Sequence, residues 1–307
     1  MKYPYWRCLL LLSMALTTSA QAQETGLNFL RIGTNASASA MGDAQVASTG
    51  DAFATYWNPA GLARVSSNTA SVSHRIWIGD LRTYDAAARF QIGRKGGLGL
   101  AVTATDSGDL EARDLPGEPN GFFSAQFISV GISYGRQIGP LRVGVTAKYL
   151  NEQIFESDAT GYAFDAGAQL GVVDDLIRFG AALQNLGEMS ELEGQATELP
   201  RTLRAGVAVF PFSILAQDDG TALLDMMVAT EISHLFPGDI TRVHAGVGVT
   251  VLELVVARVG FITNDELRDL TFGLGLHSET LFFDYAYLPF ESGFEGPGHV
   301  ITLTYAW

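Results

Sequence analysis

The chain has 307 residues, one cysteine and a formal net charge of −14 at pH 7, and 47% of its residues are hydrophobic. That length fits one large β domain or two ordinary domains. A chain this acidic repels nucleic acid, and a single cysteine excludes a disulfide framework.

The first residues have the three parts of a secretory signal. Lys2 and Arg7 form a basic start, an apolar run follows from Cys8, and Ala20-Gln21-Ala22 supplies small residues at the usual cleavage spacing. We therefore predict that residues 1–22 are a cleaved signal peptide and that the mature chain is exported. Cleavage removes the only thiol and leaves 17 basic against 33 acidic residues, a formal charge of −16.

Residues 23–66 are small, rich in alanine and weakly helical, with glycines that interrupt any long helix. Asn58 and Pro59 are typical of a helix start, with Asn58 as the N-cap and Pro59 at the first helical position. This segment lacks the pattern of a strand and is predicted to form a separate, partly helical unit.

From residue 67 onward the sequence repeats one unit of about ten alternating apolar and polar residues followed by a turn signal. Leu141–Tyr149 shows the alternation most clearly. We predict fourteen strands, at residues 68–78, 82–93, 96–106, 121–136, 141–153, 160–173, 175–187, 200–211, 221–233, 240–250, 253–262, 268–277, 280–288 and 299–307.

The connections between these strands alternate between tight and long, as they do in bacterial outer-membrane barrels. The predicted long connections are residues 107–120, 153–159, 188–199, 234–239, 264–266 and 289–298. Two connections break the rule, since 79–81 is short for its side and 213–220 is long for its side. Acidic residues crowd the long connections, and we interpret them as solvated loop tips rather than as ligand or metal sites.

The last strand ends without a charged tail. Ile301, Leu303, Tyr305 and Trp307 fall on one face, and small or polar residues fall on the other. A sheet can span hydrocarbon only by closing on itself, because every backbone polar group must then be paired within the protein. The alternative is a soluble β-sandwich or barrel that buries these faces. Export, the even strand number and the aromatic terminus favour a transmembrane barrel.

The predicted fold is therefore all-β: a 14-stranded antiparallel transmembrane β-barrel over residues 67–307, with residues 23–66 as a hatch inside the lumen. Fourteen strands enclose more space than side chains alone can fill. Five polar residues of the predicted inner face stand out, namely Arg89, Arg142, Lys148, Asp165 and Arg178. They either pair with the hatch or line a wet channel.

The sequence gives no indication of an enzyme, a metal site or a cofactor. Ser133 lies in a G-x-S-x-G pattern, but that motif needs a strand followed by a helix, and here the predicted strand leads by a turn into another strand. The five histidines are scattered singly and form no zinc pattern.

Several segments in order resemble one family of outer-membrane proteins. They are FLRIGTNASASAMGDAQVASTGDAFATYWNPAGLA (residues 29–63), LRVGVTAKYL (141–150), GYAFDAGAQL (161–170), RFGAALQNLG (178–187), LPRTLRAGVAV (199–209) and FDYAYLPFE (283–291). This set is similar to the PorV/PorQ family, which is itself similar to the FadL-type long-chain fatty-acid transporters.

The resemblance implies a fourteen-stranded barrel in the outer membrane, with Asn58, Pro59 and Ala60 on the hatch motif of the family. It also implies that Tyr305 and Trp307 belong to a terminal signal read by the outer-membrane assembly machinery. PorV-like proteins hold the C-terminal domains of type IX secretion substrates at their external loops, so secreted proteins and other secretion components are expected partners.

The FadL side of the resemblance implies a different function. A FadL-type channel would carry hydrophobic small molecules, such as long-chain fatty acids or hydrocarbons, past a hatch whose movement opens a path through the wall. It predicts an apolar pocket between hatch and strands, lined by Phe53, Tyr56 and Trp57. A strand interruption beside the hatch would favour this transporter over a protein-docking barrel. A purely structural barrel or porin is disfavoured, because the hatch would block diffusion.

Overall fold

The computed structural model describes residues 27–64, 67–112, 119–192, 194–211, 224–290 and 296–307. The predicted signal peptide lies outside the described residues. The strands are β1 Thr69–Ile76, β2 Arg82–Ile92, β3 Gly96–Asp106, β4 Leu110–Ala112, β5 Gly121–Phe123, β6 Ala125–Ile138, β7 Leu141–Ile154, β8 Ser157–Val172, β9 Ile177–Met189, β10 Glu191–Leu192, β11 Gln195–Ala196, β12 Thr202–Val209, β13 Leu224–Leu235, β14 Ile240–Val251, β15 Val255–Ile262, β16 Leu270–His277, β17 Leu281–Leu288 and β18 Gly298–Ala306.

Within the described residues, fourteen of these strands form a closed antiparallel barrel, which confirms the predicted fold class. The short pairs β4–β5 and β10–β11 are separate hairpins in two of the predicted long connections. The last strand, β18, pairs with both β17 and β1 and so closes the sheet. Closure leaves no unpaired edge between the first and last strands. None of the described helices combines the length and the hydropathy that a membrane crossing requires.

Side chains alternate between the two faces of the barrel wall as the sequence predicts. In β18, Ile301, Leu303 and Tyr305 point outward and are each more than 40% exposed, whereas Thr302 is buried on the inner face. Trp307, just after the strand, is also exposed. The large apolar residues of the other strands show the same outward alternation, and the barrel presents an apolar outer surface.

The two openings of the barrel differ. The turn side carries the start of β1 and the chain end, where Asn68 and Trp307 exchange backbone hydrogen bonds of 3.1 Å. The loop side carries both hairpins and most of the longer connections. One predicted loop is wrong: residues 153–159 form no long connection, because β7 continues to Ile154 and β8 begins at Ser157. Small and polar residues there continue the strand ladder to a two-residue turn.

Residues 27–64 lie inside the barrel as the hatch. They contain a 3-10 helix at Asn28–Arg31, α1 at Ala36–Ser39, α2 at Ala54–Trp57 and a 3-10 helix at Pro59–Ala63. Most of this segment is buried, and its apolar residues contribute to four core clusters, all of them shared with the wall. Its small side chains allow the backbone to lie close to the strands.

Glycines on the inner face of the wall make that close approach possible. A Cβ at Gly144 in β7 would lie 2.3 Å from the carbonyl carbon of Pro59, and one at Gly260 in β15 would lie 2.0 Å from the backbone nitrogen of Gly42. Real side chains never approach so closely, so any larger residue would force the hatch away from the wall. The hatch is therefore packed directly on opposite parts of the barrel.

Strand pairing is regular beside most of the hatch. In the described residues, the ladders that join β1, β2, β3 and β6 run without a register shift. A shift occurs between β8 and β9, where β9 carries one extra residue opposite Asp165. The bulge places Asn185 in a left-handed conformation with φ of 60°.

Candidate functional site

The hatch motif joins two parts of the hatch to the barrel wall. Asn58 is fully buried, and its side-chain amide donates to the backbone carbonyls of Val46, Ala168 and Ala181 at 2.8, 3.1 and 3.3 Å. Its side-chain oxygen accepts from the backbone N–H of Ala60 at 3.1 Å, which is the capping contact expected at a helix start. Pro59 begins the short 3-10 helix that follows.

The three aromatic residues predicted to line an apolar pocket do not all face the same space. Phe53 and Tyr56 line an inner cavity of about 30 Å³ between α2 and strands β2, β3, β6 and β7. Trp57 points elsewhere, since its indole N–H donates to Asn35 at 3.0 Å and the Arg204 guanidinium lies 5.0 Å from its ring. A cavity of this size holds a water molecule, so the inner cavity is closed to larger molecules in this conformation.

The inner cavity and an outer groove lie on opposite sides of the same part of the wall. On the outer surface, an apolar groove of about 460 Å³ crosses β18, β1, β2 and β3. Four residues line both the inner cavity and the outer groove: Ala86, Ala87, Ala101 and Val102. Ala87 pairs with Ala101 across β2 and β3, so the partition at this point consists of backbone and methyl groups.

The five polar residues predicted on the inner face all lie inside the barrel, each at most 9% exposed. Arg89 donates to the hatch carbonyls of Leu62 and Arg64 and to the carbonyl of Ser67. Lys148 and Asp165 pair with each other at 2.7 Å. Among the residues that the structure describes, Arg142 and Arg178 form no ion pair with the hatch; both face Asp175, at 2.7 and 3.7 Å.

The bulge in β9 belongs to the same polar network. The backbone N–H of Asn185 donates to Asp165 at 2.8 Å, and Lys148 donates to the Asn185 side-chain oxygen at 2.9 Å. The Asn185 amide in turn donates to the carbonyl of Pro200 at 3.1 Å. These contacts give hydrogen-bond partners to the backbone N–H and to the side chain of the extra residue that the bulge inserts.

Sequence reasoning missed the strongest wall-to-hatch contacts. One carboxylate oxygen of Glu231 accepts from the backbone N–H groups of Gln45 and Val46 at 2.9 and 2.8 Å, and the other pairs with Arg204 at 2.5 Å. The His244 imidazole forms a 2.7 Å hydrogen bond to the carbonyl oxygen of Gly42. Glu231 could have been predicted as a contact to the hatch, because it is a charged residue at an inward-facing position of an alternating strand.

A second set of missed contacts holds the hatch at the loop side. Asp43 pairs at 2.5 Å with Arg268, which lies in the connector between β15 and β16. Arg75 in β1 donates to the Ser39 hydroxyl at 3.1 Å. Burial alone would raise the pKa of Asp43, but the cationic neighbours, Arg268 first and then Arg75, hold it below its usual value.

Two other hatch groups have shifted pKa values. Burial raises the pKa of Asp51, although its carboxylate accepts a hydrogen bond from the backbone N–H of Phe53 at 3.0 Å. Burial also raises the pKa of Tyr56, whose hydroxyl lies 2.9 Å from the carbonyl oxygen of Leu30 and 3.1 Å from that of Ile32. Tyr56 is therefore neutral at physiological pH, and its hydroxyl links α2 to the first part of the hatch.

An open cavity of about 770 Å³ lies on the loop side, and we call it the vestibule. Its floor is the hatch at Leu30–Ile32 and Asp43, and its walls are the loop-side ends of β12–β14, Trp77 and the β15–β16 connector. Apolar, neutral polar and charged residues all line it. The vestibule is separate from the inner cavity, since the two share no lining residue.

The G-x-S-x-G pattern lies in an ordinary pair of strands. Ser133 is buried within β6 and shares a 2.8 Å hydrogen bond with Thr146, and β6 leads to β7 rather than to a helix. In the described part of the chain, no three His, Cys, Asp or Glu side chains are grouped to hold a metal. Tyr305 and Trp307 stack on the outer surface with ring centroids 5.7 Å apart.

No protein-family model and no curated protein sequence matches this chain. Solved structures do match. The Ralstonia pickettii toluene transporter TbuX has a TM-score of 0.59 and 14% identity over 90% of this chain and 98% of its own. A deletion mutant of the monoaromatic hydrocarbon channel TodX has a TM-score of 0.59 and 14% identity over 90% and 99%.

A FadL homologue from Pseudomonas aeruginosa is also similar, with a TM-score of 0.53 and 12% identity over 89% of this chain and 98% of its own. The structural similarity shows the fold, but sequence identities this low do not show that the function is shared. Strand number, closure and chain coverage all agree with these structures. The chain therefore has the fold of the FadL-like barrels.

Proposed function

We propose that the protein is an outer-membrane channel that carries hydrophobic small molecules between the barrel lumen and the bilayer. The observation that carries this proposal is the shared partition, Ala86, Ala87, Ala101 and Val102, between the inner cavity and the apolar outer groove. Two of the similar barrels are a toluene transporter and a monoaromatic hydrocarbon channel, and their ligands are hydrophobic small molecules of the same class.

Transport requires a change from the conformation described here. The inner cavity is too small for a hydrocarbon, because even benzene needs a cavity of roughly 150 Å³. The ladder between β2 and β3 is unbroken, so a path opens when these two strands part and α2, together with Phe53 and Tyr56, moves away from the wall. Side chains no larger than methyl groups at three of the four positions keep the steric barrier to that path low.

A cross-link tests the proposal. Because the predicted mature chain has no cysteine, the double variant Ala86→Cys/Val102→Cys places thiols on directly paired, outward-facing positions of β2 and β3. The matched control Val145→Cys/Ala166→Cys places them on paired, outward-facing positions of β7 and β8. Uptake of labelled toluene and naphthalene is measured in cells that lack their own transporter, with the disulfides formed and then reduced.

We expect oxidation to stop uptake by the β2–β3 variant, reduction to restore it, and the β7–β8 control to transport in both states. Uptake that persists with the β2–β3 disulfide formed would show that the route is not at β2–β3, and equal loss in both variants would show that oxidation does not act by holding these two strands together. Uptake no greater than in cells with an empty vector would overturn the transport function itself.

The second candidate is a PorV-type barrel that docks secreted proteins for type IX secretion. The observation in its favour is the regular pairing of β1, β2, β3 and β6 beside a closely packed hatch, since docking needs no opening in the wall. Purification of the tagged protein in detergent distinguishes the two functions. Secreted proteins that co-purify, and that are lost when residues 109–121 are replaced by a Gly-Ser linker, support docking; bound hydrocarbon or lipid alone supports transport.

A further inference from the structure

The inner cavity is lined in part by buried polar atoms that have no hydrogen-bond partner. In the part of the chain that the structure describes, Oδ2 of Asp85 and the hydroxyl oxygens of Thr34 and Thr55 make no hydrogen bond. The three residues are each at most 4% exposed, and all three line the inner cavity. A buried polar group without a partner costs free energy, and a carboxylate costs the most.

These atoms come from different parts of the fold and meet at one cavity. Asp85 lies on the inner face of β2, and its other carboxylate oxygen, Oδ1, accepts a 2.6 Å hydrogen bond from the hydroxyl of Thr103 in β3. Thr55 lies in α2, and Thr34 lies in the hatch just before α1. The wall and the hatch therefore both contribute unpartnered oxygen atoms to the same space of about 30 Å³.

Other lining residues of the inner cavity are apolar. They include Phe53, Ala87 and Ala101, and the two alanines belong to the partition shared with the outer groove. Asp85, Thr34 and Thr55 line the inner cavity but not the groove. A ligand that enters from the groove thus passes methyl groups before it reaches the polar atoms.

Charges around Asp85 favour a neutral ligand group. Lys148 is the other charged residue in the described lining of the cavity, and its ammonium pairs with Asp165 at 2.7 Å. Arg75 lies diagonal to Asp85 across β1 and β2 and acts on it electrostatically, while its guanidinium also lies 5.4 Å from the Trp77 ring. A second carboxylate would be repelled by Asp85, and an ammonium would be repelled by Lys148 and Arg75.

We propose that the inner cavity is a subsite for the hydroxyl group of a hydrophobic alcohol or phenol. A hydroxyl both donates and accepts, so it can donate to Oδ2 of Asp85 while its oxygen accepts from the hydroxyl of Thr34 or Thr55. A hydrogen bond to a carboxylate is roughly twice as strong as one between neutral groups. A hydrocarbon makes neither contact and leaves the same buried atoms without partners.

This inference rests on the proposed function, because the ligand has to enter through the partition, and it narrows the substrate from hydrocarbons to hydroxylated compounds. A hydroxyl group is about as large as a water molecule, so it fits a cavity of about 30 Å³. The ring or chain of the ligand occupies the space that is created when β2 and β3 part.

Matched probes test the inference. Phenol and toluene differ by a hydroxyl in place of a methyl group, and 1-hexanol and heptane differ in the same way. The first pair is aromatic and the second is aliphatic, so the pair that responds identifies the source of the hydroxyl. Affinities are measured by equilibrium dialysis of the full-length protein in detergent against each labelled probe, with protein-free micelles as the blank.

The decisive quantity is the affinity for the hydroxylated probe divided by the affinity for its hydrocarbon partner. Asp85→Leu replaces both carboxylate oxygens by methyl groups, and we expect this ratio to fall at least about tenfold in one or both pairs, the value of one hydrogen bond to a charged group. Thr34→Val/Thr55→Val removes both hydroxyls at nearly constant shape and should lower the ratio in the same direction.

Asp225→Leu and Thr69→Val are the matched controls. Both native side chains carry a buried oxygen that has no partner among the described residues, but neither lines the inner cavity. Both variants should leave the ratio unchanged. If Asp85→Leu does not fold, Asp85→Asn takes its place: it keeps the shape of the side chain, and its neutral amide makes weaker hydrogen bonds than a carboxylate, so the ratio should still fall.

A ratio that is the same in the wild type and in the Asp85 variant for both pairs would overturn the hydroxyl subsite, and so would an equal fall in Asp225→Leu. If cells that carry the protein take up toluene in that case, the proposed transport function stands without the subsite. If the ratio falls as expected but neither toluene nor phenol is taken up, the subsite stands and the proposed transport function fails.

Discussion

The Asp43 carboxylate in the hatch and the Arg268 guanidinium in the β15–β16 connector lie 2.5 Å apart, and both side chains are at most 5% exposed. This buried ion pair joins the N-terminal segment to a connection at the loop side, 225 residues later in the chain. Taking away one member leaves the other charged and buried, which costs far more than removing both.

The first prediction follows from that asymmetry. Asp43→Asn should lower the free energy of unfolding by about 3–5 kcal/mol. Asp43→Asn/Arg268→Met should recover much of the loss. The exposed pair Glu198 and Arg201 gives the matched comparison, since Glu198→Gln should cost about 1 kcal/mol or less. Urea unfolding in detergent measures all three; a single variant as stable as the double would contradict this account.

The second prediction concerns the fit of the hatch against the wall. Gly144→Ala should destabilise the protein by about 1–3 kcal/mol, because the added methyl overlaps Pro59. Gly131→Ala is the control, since its added methyl meets no atom closer than 3.6 Å. Limited proteolysis should cut the hatch of Gly144→Ala sooner than that of Gly131→Ala. Equal cleavage rates would mean that the hatch does not depend on this contact.

The third prediction concerns pH. Burial raises the pKa of Asp51 in the folded state, so this group stabilises the fold below its unfolded pKa of about 3.9, and the contribution is lost as pH rises through the folded value. Asp51→Asn keeps an oxygen for the Phe53 N–H but cannot ionise. The melting temperature of Asp51→Asn relative to the wild type should therefore increase from pH 4 to pH 7.

Asp43 should not obscure that measurement. Its pKa is lowered, so its contribution is present above the unfolded pKa of about 3.9 and is lost only as pH falls through the lower folded value. A difference between Asp51→Asn and wild type that stays constant over pH 4–7 would show that Asp51 does not titrate in this range.

The fourth prediction concerns assembly. Trp307→Ala should greatly reduce the amount of folded protein in the outer membrane, because we propose that Tyr305 and Trp307 form the terminal signal for the assembly machinery. Tyr149→Ala is the control, since Tyr149 is an outward-facing aromatic of similar exposure in β7. Heat-dependent gel mobility of isolated outer membranes measures the folded fraction. Equal losses in both variants would point to a general need for surface aromatics.

Much of the candidate site was predictable and some of it was not. The inward direction of Arg89, Lys148 and Asp165 follows from strand alternation alone. The direction of Trp57 does not, because α2 has only four residues and its indole contacts Asn35 and Arg204, which are distant in the sequence. The prediction of a long connection at 153–159 was wrong, because polar residues can extend a strand wherever the backbone of a neighbouring strand pairs with them.

The sequence by itself determined the wall. A period of two residues is local, so alternation from Leu141 to Tyr149 or from Ile301 to Trp307 specifies which side chains face outward, and the turn signals specify how many strands there are. Only the tertiary structure decided what meets the inner face. Asp43 with Arg268, Glu231 with Val46 and Arg75 with Trp77 depend on how the hatch is placed within the closed barrel, and no short-range pattern in the chain encodes that placement.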